Sequence, residues 1–564
     1  MTASNIARTL ETAATDRPDQ VAIYAPPAGR TPLRVENYRT LTFQQLHQFS
    51  VELASGLNAI GIRRGTRIAL MVPPSPEFFV LTFALFRLGA VPVLIDPGMG
   101  LKNLAQCLTE ARPEVFIGIT KAHVARSLLG WAKGSLRQLI TVGRKLWWSG
   151  RTYDELQRLG QKSSQAPMVD LPEEETAAIL FTSGSTGIPK GAVYTHEIFL
   201  SQVELLKEAL KISSGEIDLC TFPLFALFAP ALKMSAIIPR MDFTRPAKVD
   251  PQEIWQPVEL FQVTNLFGSP ALIRRLAIAS QQAGKTFPTL RRVVSAGAPV
   301  NPKILELFQP LLAPKTPIYT PYGATESLPV AVVSSQQILG ETQQKTTAGA
   351  GICVGQVVTG MQARVIRLTD EPIPVWSNDL IRLPGVIGEI AVCGPVVTRS
   401  YDARPEQTAL AKIVDPHTGE LWHRMGDAGY FDEQGDLWFC GRKSQRVELP
   451  AEAGVPAQTL FADQCEAVFN GHPAVARTAL VGALVDQRII PVLCVERNPG
   501  NRTPFAQLEE ELRSLAISSR VTAAIEHFLE HPAFPVDTRH NSKIFREKLA
   551  PWAAKQLSKN HRKP

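Results

Sequence analysis

A chain of 564 residues is too long for one ordinary domain, and two or three domains are expected. Its 45% hydrophobic and 20% charged content excludes a disordered chain and suffices for a sizeable core. The net charge of +7, from 59 Lys+Arg against 52 Asp+Glu, is small for this length. No basic block stands out inside the chain, and Lys555, Lys559, Arg562 and Lys563 read as a solvated tail, so no nucleic-acid partner is expected.

Seven scattered cysteines, none in a CxxC pair, fit no zinc motif and read as reduced, buried thiols of the cytoplasm. The N-terminal stretch has no apolar signal core.

Thr42 and Gln45 have capping-box spacing, and behind them Leu46, Phe49, Leu53, Leu57 and Ile60 recur at helical period. A strand, RIALMV, follows from Arg67. The apolar run Phe78 to Ile95 has nearly the length of a membrane span, but Arg87, Gly89 and Pro92 interrupt it. Ser75 before Pro76 predicts a helix start and Gly89 a stop, so the run is expected to be a buried helix and then a strand, VPVLI. That is a βαβ unit of a parallel sheet. Further strands are expected at AAILFT from Ala177, RRVVSA from Arg291 and EIAVCG from Glu389. The acidic run Glu173-Glu174-Glu175 reads as a solvated turn. After Gly441-Arg442-Lys443 the pattern changes to a helix near Asp463, strands VARTALVG and PVLCVE, and two amphipathic helices. The fold class is α/β: a large N-terminal domain over 1–442 with layered, mostly parallel sheets, and a small, mobile α+β domain over 443–564.

The segment carrying the chemistry is FTSGSTGIPKG, from Phe181 to Gly191. Glycines let backbone N–H groups approach an anion closely, hydroxyls add donors, and Lys190 adds charge for phosphate oxygens. Pro189 stands where a Walker loop needs glycine, so this is a different phosphate loop.

The segment resembles the phosphate loop of the adenylate-forming superfamily, which includes acyl-CoA synthetases, luciferases and adenylation domains. Four later segments match in order, and a fifth lies near the end. The resemblance implies that Thr182, Ser183, Gly184, Ser185, Thr186, Gly187 and Lys190 bind ATP phosphates. SAGAPV from Ser295, with Ala296, Gly297, Ala298 and Pro299, would lie beside the adenine. In YGATES, Tyr322 and Gly323 would flank the base, Thr325 would contact phosphate and Glu326 would hold Mg2+. In HRMGDAGY, Asp427 would bind the ribose. In GRKSQRVE, Arg442 would contact the nucleotide and Lys443 would be the hinge. Lys543, in NSKIFR, would be the catalytic lysine of adenylation. His423 and His196 are given no catalytic role.

Two departures narrow the branch. No glycine lies between Lys443 and Glu448, where a CoA ligase usually has one beside its pantetheine tunnel. TFPLFALFAPAL from Thr221 places Phe225 and Phe228 where many relatives have a histidine, a pair that suits an apolar acyl pocket and equally suits core packing. This segment, with MDFTRPAKVDP, LFGSPAL, WHRMGDAGYFDEQGDLWFCGRK and FPVDTRHNSKIFREKLA, resembles the β-lactone synthetases of bacterial long-chain olefin biosynthesis. That resemblance implies activation of a β-hydroxy fatty acid and closure to a lactone. Its pathway partners would be a condensing enzyme, a reductase and a decarboxylase. The alternatives are an acyl-CoA ligase, an acyl-AMP ligase loading a carrier protein, and a non-catalytic nucleotide-binding subunit.

Overall fold

The structure, a computed structural model, describes residues 5–29, 31–182, 189–297, 299–451, 456–536 and 544–560. Local signals in the first half act as expected. Thr42 and Gln45 close both halves of a capping box at the start of helix Phe43–Ala59. Ser75 Oγ accepts the Phe78 N–H at 3.2 Å, and Pro76 opens helix Pro76–Arg87, buried at every position but Glu77. Gly89, at φ 64°, takes the left-handed turn that releases the chain into strand Val91–Ile95. The long apolar run is therefore helix, turn and strand. Among the described residues no helix is long and apolar enough to cross a membrane.

That strand joins a seven-stranded sheet ordered Arg151–Thr152, Gln138–Val142, Val115–Ile119, Arg67–Met71, Val91–Ile95, Thr176–Thr182 and Lys190–Thr195. All its pairings are parallel except the last. A second, larger sheet has a parallel centre of Ile217–Cys220, Asn265–Gly268, Arg292–Ser295 and Ile318–Ala324. It continues antiparallel through Ser327–Ser334, Ile352–Val357, Leu437–Arg442, Leu421–Phe431, Gly388–Cys393 and Gln362–Ile366. Beyond the 3-10 turn Lys443–Gln445 the strands belong to small separate sheets, and helices Ala462–Asn470, Phe505–Ser518 and Arg546–Asn560 pack on them. A strand the pattern did not announce, His527–Glu530, runs parallel to Arg488–Arg497.

Two surface expectations need correction. The acidic run is not simply solvated: Glu175 pairs with Arg64 at 2.6 Å and Glu174 with Arg399 at 2.6 Å. Lys555 and Lys559 are not in a loose tail but on the exposed side of the last helix, whose Ala553 and Leu557 are buried. All seven cysteines are free and buried.

Two glycines set the closest helix crossing. A Cβ on Gly160 would lie 1.7 Å from the Glu52 carbonyl oxygen, and one on Gly56 would lie 2.0 Å from that of Leu156. Helices Phe43–Ala59 and Tyr153–Lys162 therefore touch backbone to backbone. Gly160→Ala should force them apart and, despite its better helix propensity, destabilise the protein by about 2 kcal/mol. Denaturant unfolding checks this; an unchanged or higher midpoint would contradict the crossing.

Candidate active site

A cavity of about 1720 Å³ lies where the strand ends of the two sheets converge, with Ile95 and Phe181 from one and Phe267 and Ser295 from the other. The C-terminal ends of parallel strands are the usual ligand site of such sheets. Ala296, Gly297, Pro299, Tyr322, Gly323, Thr325, Glu326, Asp427 and Arg442 all reach its wall. Gly297 holds φ 94°, a conformation that side chains disfavour, so the turn after strand Arg292–Ser295 stays low against the cavity.

On one wall, Tyr322 donates its hydroxyl to Asp427 Oδ2 at 2.7 Å. Asp427 and Arg442 face each other on neighbouring strands, and Arg442 Nη1 lies 2.7 Å from Asp427 Oδ1. That contact is a charged pair, and since a carboxylate oxygen carries more than one lone pair, Oδ1 keeps accepting capacity. Burial raises the Asp427 carboxyl against the pull of Arg442 and Tyr322, while the Asp427 charge holds the Arg442 guanidinium up. Ser295 Oγ is also buried without a partner among the described residues.

On another wall, the Tyr401 hydroxyl donates to Glu326 Oε1 at 2.7 Å. Lys190 Nζ lies 5.0 Å from the Tyr401 ring centre. Burial lowers the Lys190 ammonium, and Glu326 offsets part of that. Behind them, Lys412 donates to the Thr398 carbonyl, and burial lowers its ammonium to about 7. Tyr194 donates to the Thr325 carbonyl, fixing that turn to strand Lys190–Thr195.

His423 is buried, and burial with the nearby Lys412 pushes it well below the usual histidine range. Its Nδ1 lies 3.2 Å from the Ala411 carbonyl, which can only accept, so that nitrogen carries the proton. His196 accepts the Ile6 N–H at 3.2 Å and ties down the first helix, a structural task.

Lys443 is anchored: its Nζ donates to the Thr369 carbonyl at 2.8 Å and to Glu389 at 3.1 Å. Glu389 also takes Arg424 at 2.7 Å, on the strand that carries Asp427. Ser183, Gly184, Ser185, Thr186, Gly187, Ala298 and Lys543 lie outside the described residues. The backbone of Thr182 ends its strand opposite Lys190. Val536, Phe545 and Glu547, which bracket Lys543 in sequence, line the cavity. Arg546 is clamped by Glu466 at 2.7 and 2.8 Å and by Gln445 at 3.1 Å.

The far wall is aromatic. Phe225 stacks on Phe267 at 4.4 Å and lies 6.2 Å from Phe228, with Phe222 and Phe199 beside them. Sequence reading missed Tyr401, Lys412, Glu389 and Arg424. For Arg424 the available signal was a charge inside a largely apolar strand.

The family model of AMP-binding enzymes matches residues 10–402. The chain belongs to the AMP-binding enzyme family. It is similar to the olefin β-lactone synthetase of Stenotrophomonas maltophilia, 51% identical over 98% of this chain and 99% of that one. The olefin β-lactone synthetase of Xanthomonas campestris pv. campestris is 48% identical, over 98% of each chain. Among solved structures, an amide bond synthetase from Marinactinospora thermotolerans shares the fold with a TM-score of 0.77 at 19% identity, covering 97% of this chain and 99% of that one.

This wall fits a nucleotide. Asp427 Oδ1 and Ser295 Oγ have hydrogen-bonding capacity to offer, and Gly297 beside Ala296 keeps the turn low against the cavity. It also fits a magnesium ion carried by phosphates. Glu326 has one oxygen with no hydrogen-bond partner among the described residues, which can face a cation. Tyr322→Phe should remove the donor that holds Asp427 in register. A hydrogen bond to a charged group is worth about 1.5 kcal/mol, so the KM for ATP should rise about tenfold with a smaller change in kcat. Steady-state kinetics with ATP varied reads this; an unchanged KM would refute the coupling.

Proposed function

We propose that this AMP-binding enzyme activates a β-hydroxy fatty acid with ATP and closes the acyl-adenylate to a β-lactone. The observation that carries this reading is the likeness to olefin β-lactone synthetases along 98% of the chain. The turn Lys443–Gln445 and strand Val447–Leu449 support it, because they contain no glycine to open a pantetheine tunnel.

In the first step the carboxylate oxygen bonds to the α-phosphorus and pyrophosphate leaves. A carboxylate is a poor nucleophile facing a polyanion, so cations must offset the charge. Lys190, Arg442 and Lys543 supply it, and Thr325 contacts phosphate. Mg2+ held at Glu326 would neutralise phosphate charge further. Asp427 takes the ribose hydroxyls and Tyr322 covers the adenine. In the second step the β-hydroxyl oxygen bonds to the carbonyl carbon, AMP leaves, and the hydroxyl proton passes to solvent. Four-membered rings are strained, so the enzyme must fold the acyl chain and keep water away from the anhydride. The aromatic wall of Phe225 and Phe228 suits both tasks.

Residues 443–564 act as a cap that closes on 1–442 about Lys443, in the cytoplasm. A condensing enzyme and a reductase supply the substrate, and a decarboxylase consumes the lactone.

The test supplies ATP, magnesium and a β-hydroxy acid without CoA, and NMR examines the extract. A β-lactone with pyrophosphate and AMP is expected. A thioester formed only with CoA, and no lactone, would move the chain to the CoA ligases. ADP as main product would refute adenylation.

Lys543→Ala should lower adenylation by roughly a hundred- to a thousandfold, the usual loss for one charge-stabilising donor. ATP binding should change far less, since Asp427 and Tyr322 remain. Pyrophosphate release and nucleotide titration separate the two effects; near-normal turnover would displace Lys543 from the site.

A further inference from the structure

The basic residues that read as dispersed are not. Residues 115–153 hold seven Lys or Arg and no Asp or Glu, so this segment alone accounts for a charge equal to the chain's net +7. It folds as one unit, the outer edge of the seven-stranded sheet: strands Val115–Ile119, Gln138–Val142 and Arg151–Thr152 with helix Thr120–Leu129. Three carboxylates border it, Glu114, Asp154 and Glu155. Glu114 pairs with Arg137 at 3.2 Å, and Glu155 faces Lys145 and Arg151. Lys121, Lys133 and Arg144 are exposed and make no ion pair among the described residues.

The same edge exposes large apolar groups. Leu128 is 76% exposed, Trp147 67%, Leu129 50% and Leu146 39%. Trp147 is held out on a rigid base. Its neighbour Trp148 is buried, stacks on His123 at 4.9 Å and meets the Trp147 ring at 5.3 Å. Thr120 Oγ1 donates to the Arg144 carbonyl at 2.6 Å and fastens the loop to the helix. The helix start also reaches the cavity: Lys121 and Ala122 line it with Leu101, which is 60% exposed, so the cavity opens beside this edge.

We propose that this edge docks on the surface of an anionic lipid bilayer. Trp147, Leu128, Leu129 and Leu146 enter the headgroup boundary, and Lys121, Lys133 and Arg144 meet lipid phosphates. A rigid exposed tryptophan amid uncompensated cations suits that interface, where aromatic rings sit at headgroup depth and basic residues are drawn to anionic lipid. Charge complementarity selects an anionic rather than a zwitterionic surface. The cavity mouth at Leu101 and Lys121 would then face the bilayer, from which an apolar acyl chain passes without crossing water. That last purpose rests on the fatty-acid reading above; the docking itself does not.

The full chain is floated with substrate-free vesicles, either phosphatidylcholine alone or an equal mixture with phosphatidylglycerol. Binding to the mixture is expected, weakening as added salt screens the charges. Lys133→Ala with Arg144→Ala should weaken it by about thirtyfold, since each basic residue near such a surface is worth about a fivefold factor. Trp147→Ser should weaken it several-fold. Both variants should keep wild-type turnover on a short, soluble β-hydroxy acid, which shows that they fold. Equal binding to both vesicle types, no binding at low salt, or variants that float like wild type would overturn the proposal. Preferential capture of a single-stranded RNA oligonucleotide over the vesicles would also overturn it. Since the vesicles carry no substrate, a negative result leaves the lactone reading intact, and a failed lactone assay leaves the docking intact.

Discussion

The carboxylate of Glu389 is nearly sealed from solvent, with a side chain 1% exposed, and two cations share it. Burying an ion costs several kcal/mol, and that cost is offset only where partners are close and well aimed. Arg424 supplies one partner from the strand that also carries Asp427. Lys443 supplies the other from the turn where the chain leaves the large sheet. One buried charge thus fixes the strand that carries Asp427 relative to the start of the C-terminal segment. Arg446 adds a second tie, donating to Asp370 at 2.7 Å. If the cap swings about Lys443, Arg424 stays behind with Glu389, so the carboxylate is never left alone. Loss of Glu389 itself would strand two cations together.

The cavity is polarised by the same logic. Lys190, Arg442 and Lys412 gather near Glu326, and neighbouring His423 is held neutral. The wall from Phe199 to Phe267 is mostly apolar and rich in rings, although Gln202, Asp242 and Thr244 also line it. Tyr401 and Tyr322 serve the two carboxylates alike, each giving its hydroxyl to hold one oxygen.

What the sequence showed, and what it hid, follows from range. The capping box at Thr42, the stop at Gly89 and the apolar period of helix Pro76–Arg87 are local, and they act as written. The wall of Tyr322, Glu326, Asp427 and Arg442 was legible because each sits in a distinctive short motif. Strand His527–Glu530 was not legible: four residues with a single fully buried side chain carry almost no period, and the strand exists because Arg488–Arg497 offers an edge. Glu466 and Arg546 are 80 residues apart, and Tyr401 and Glu326 are 75 apart, so no window of sequence displays either pair. Lys412 reads as an ordinary surface lysine until the strands close over it.

The buried thiols carry a consequence for experiment. Burial raises all seven well above the ordinary cysteine range, and a thiolate is the form that alkylating reagents attack. The thiols are therefore protected in the folded enzyme, and their modification requires a local opening. Cys440 and Cys465 stand on the two sides of the turn at Lys443, one on strand Leu437–Arg442 and one on helix Ala462–Asn470. Their labelling rates are a native clock for any parting of those two elements, read by mass spectrometry on the unaltered chain. The other five, buried within the sheets and helices on either side, time the loosening of each part by itself.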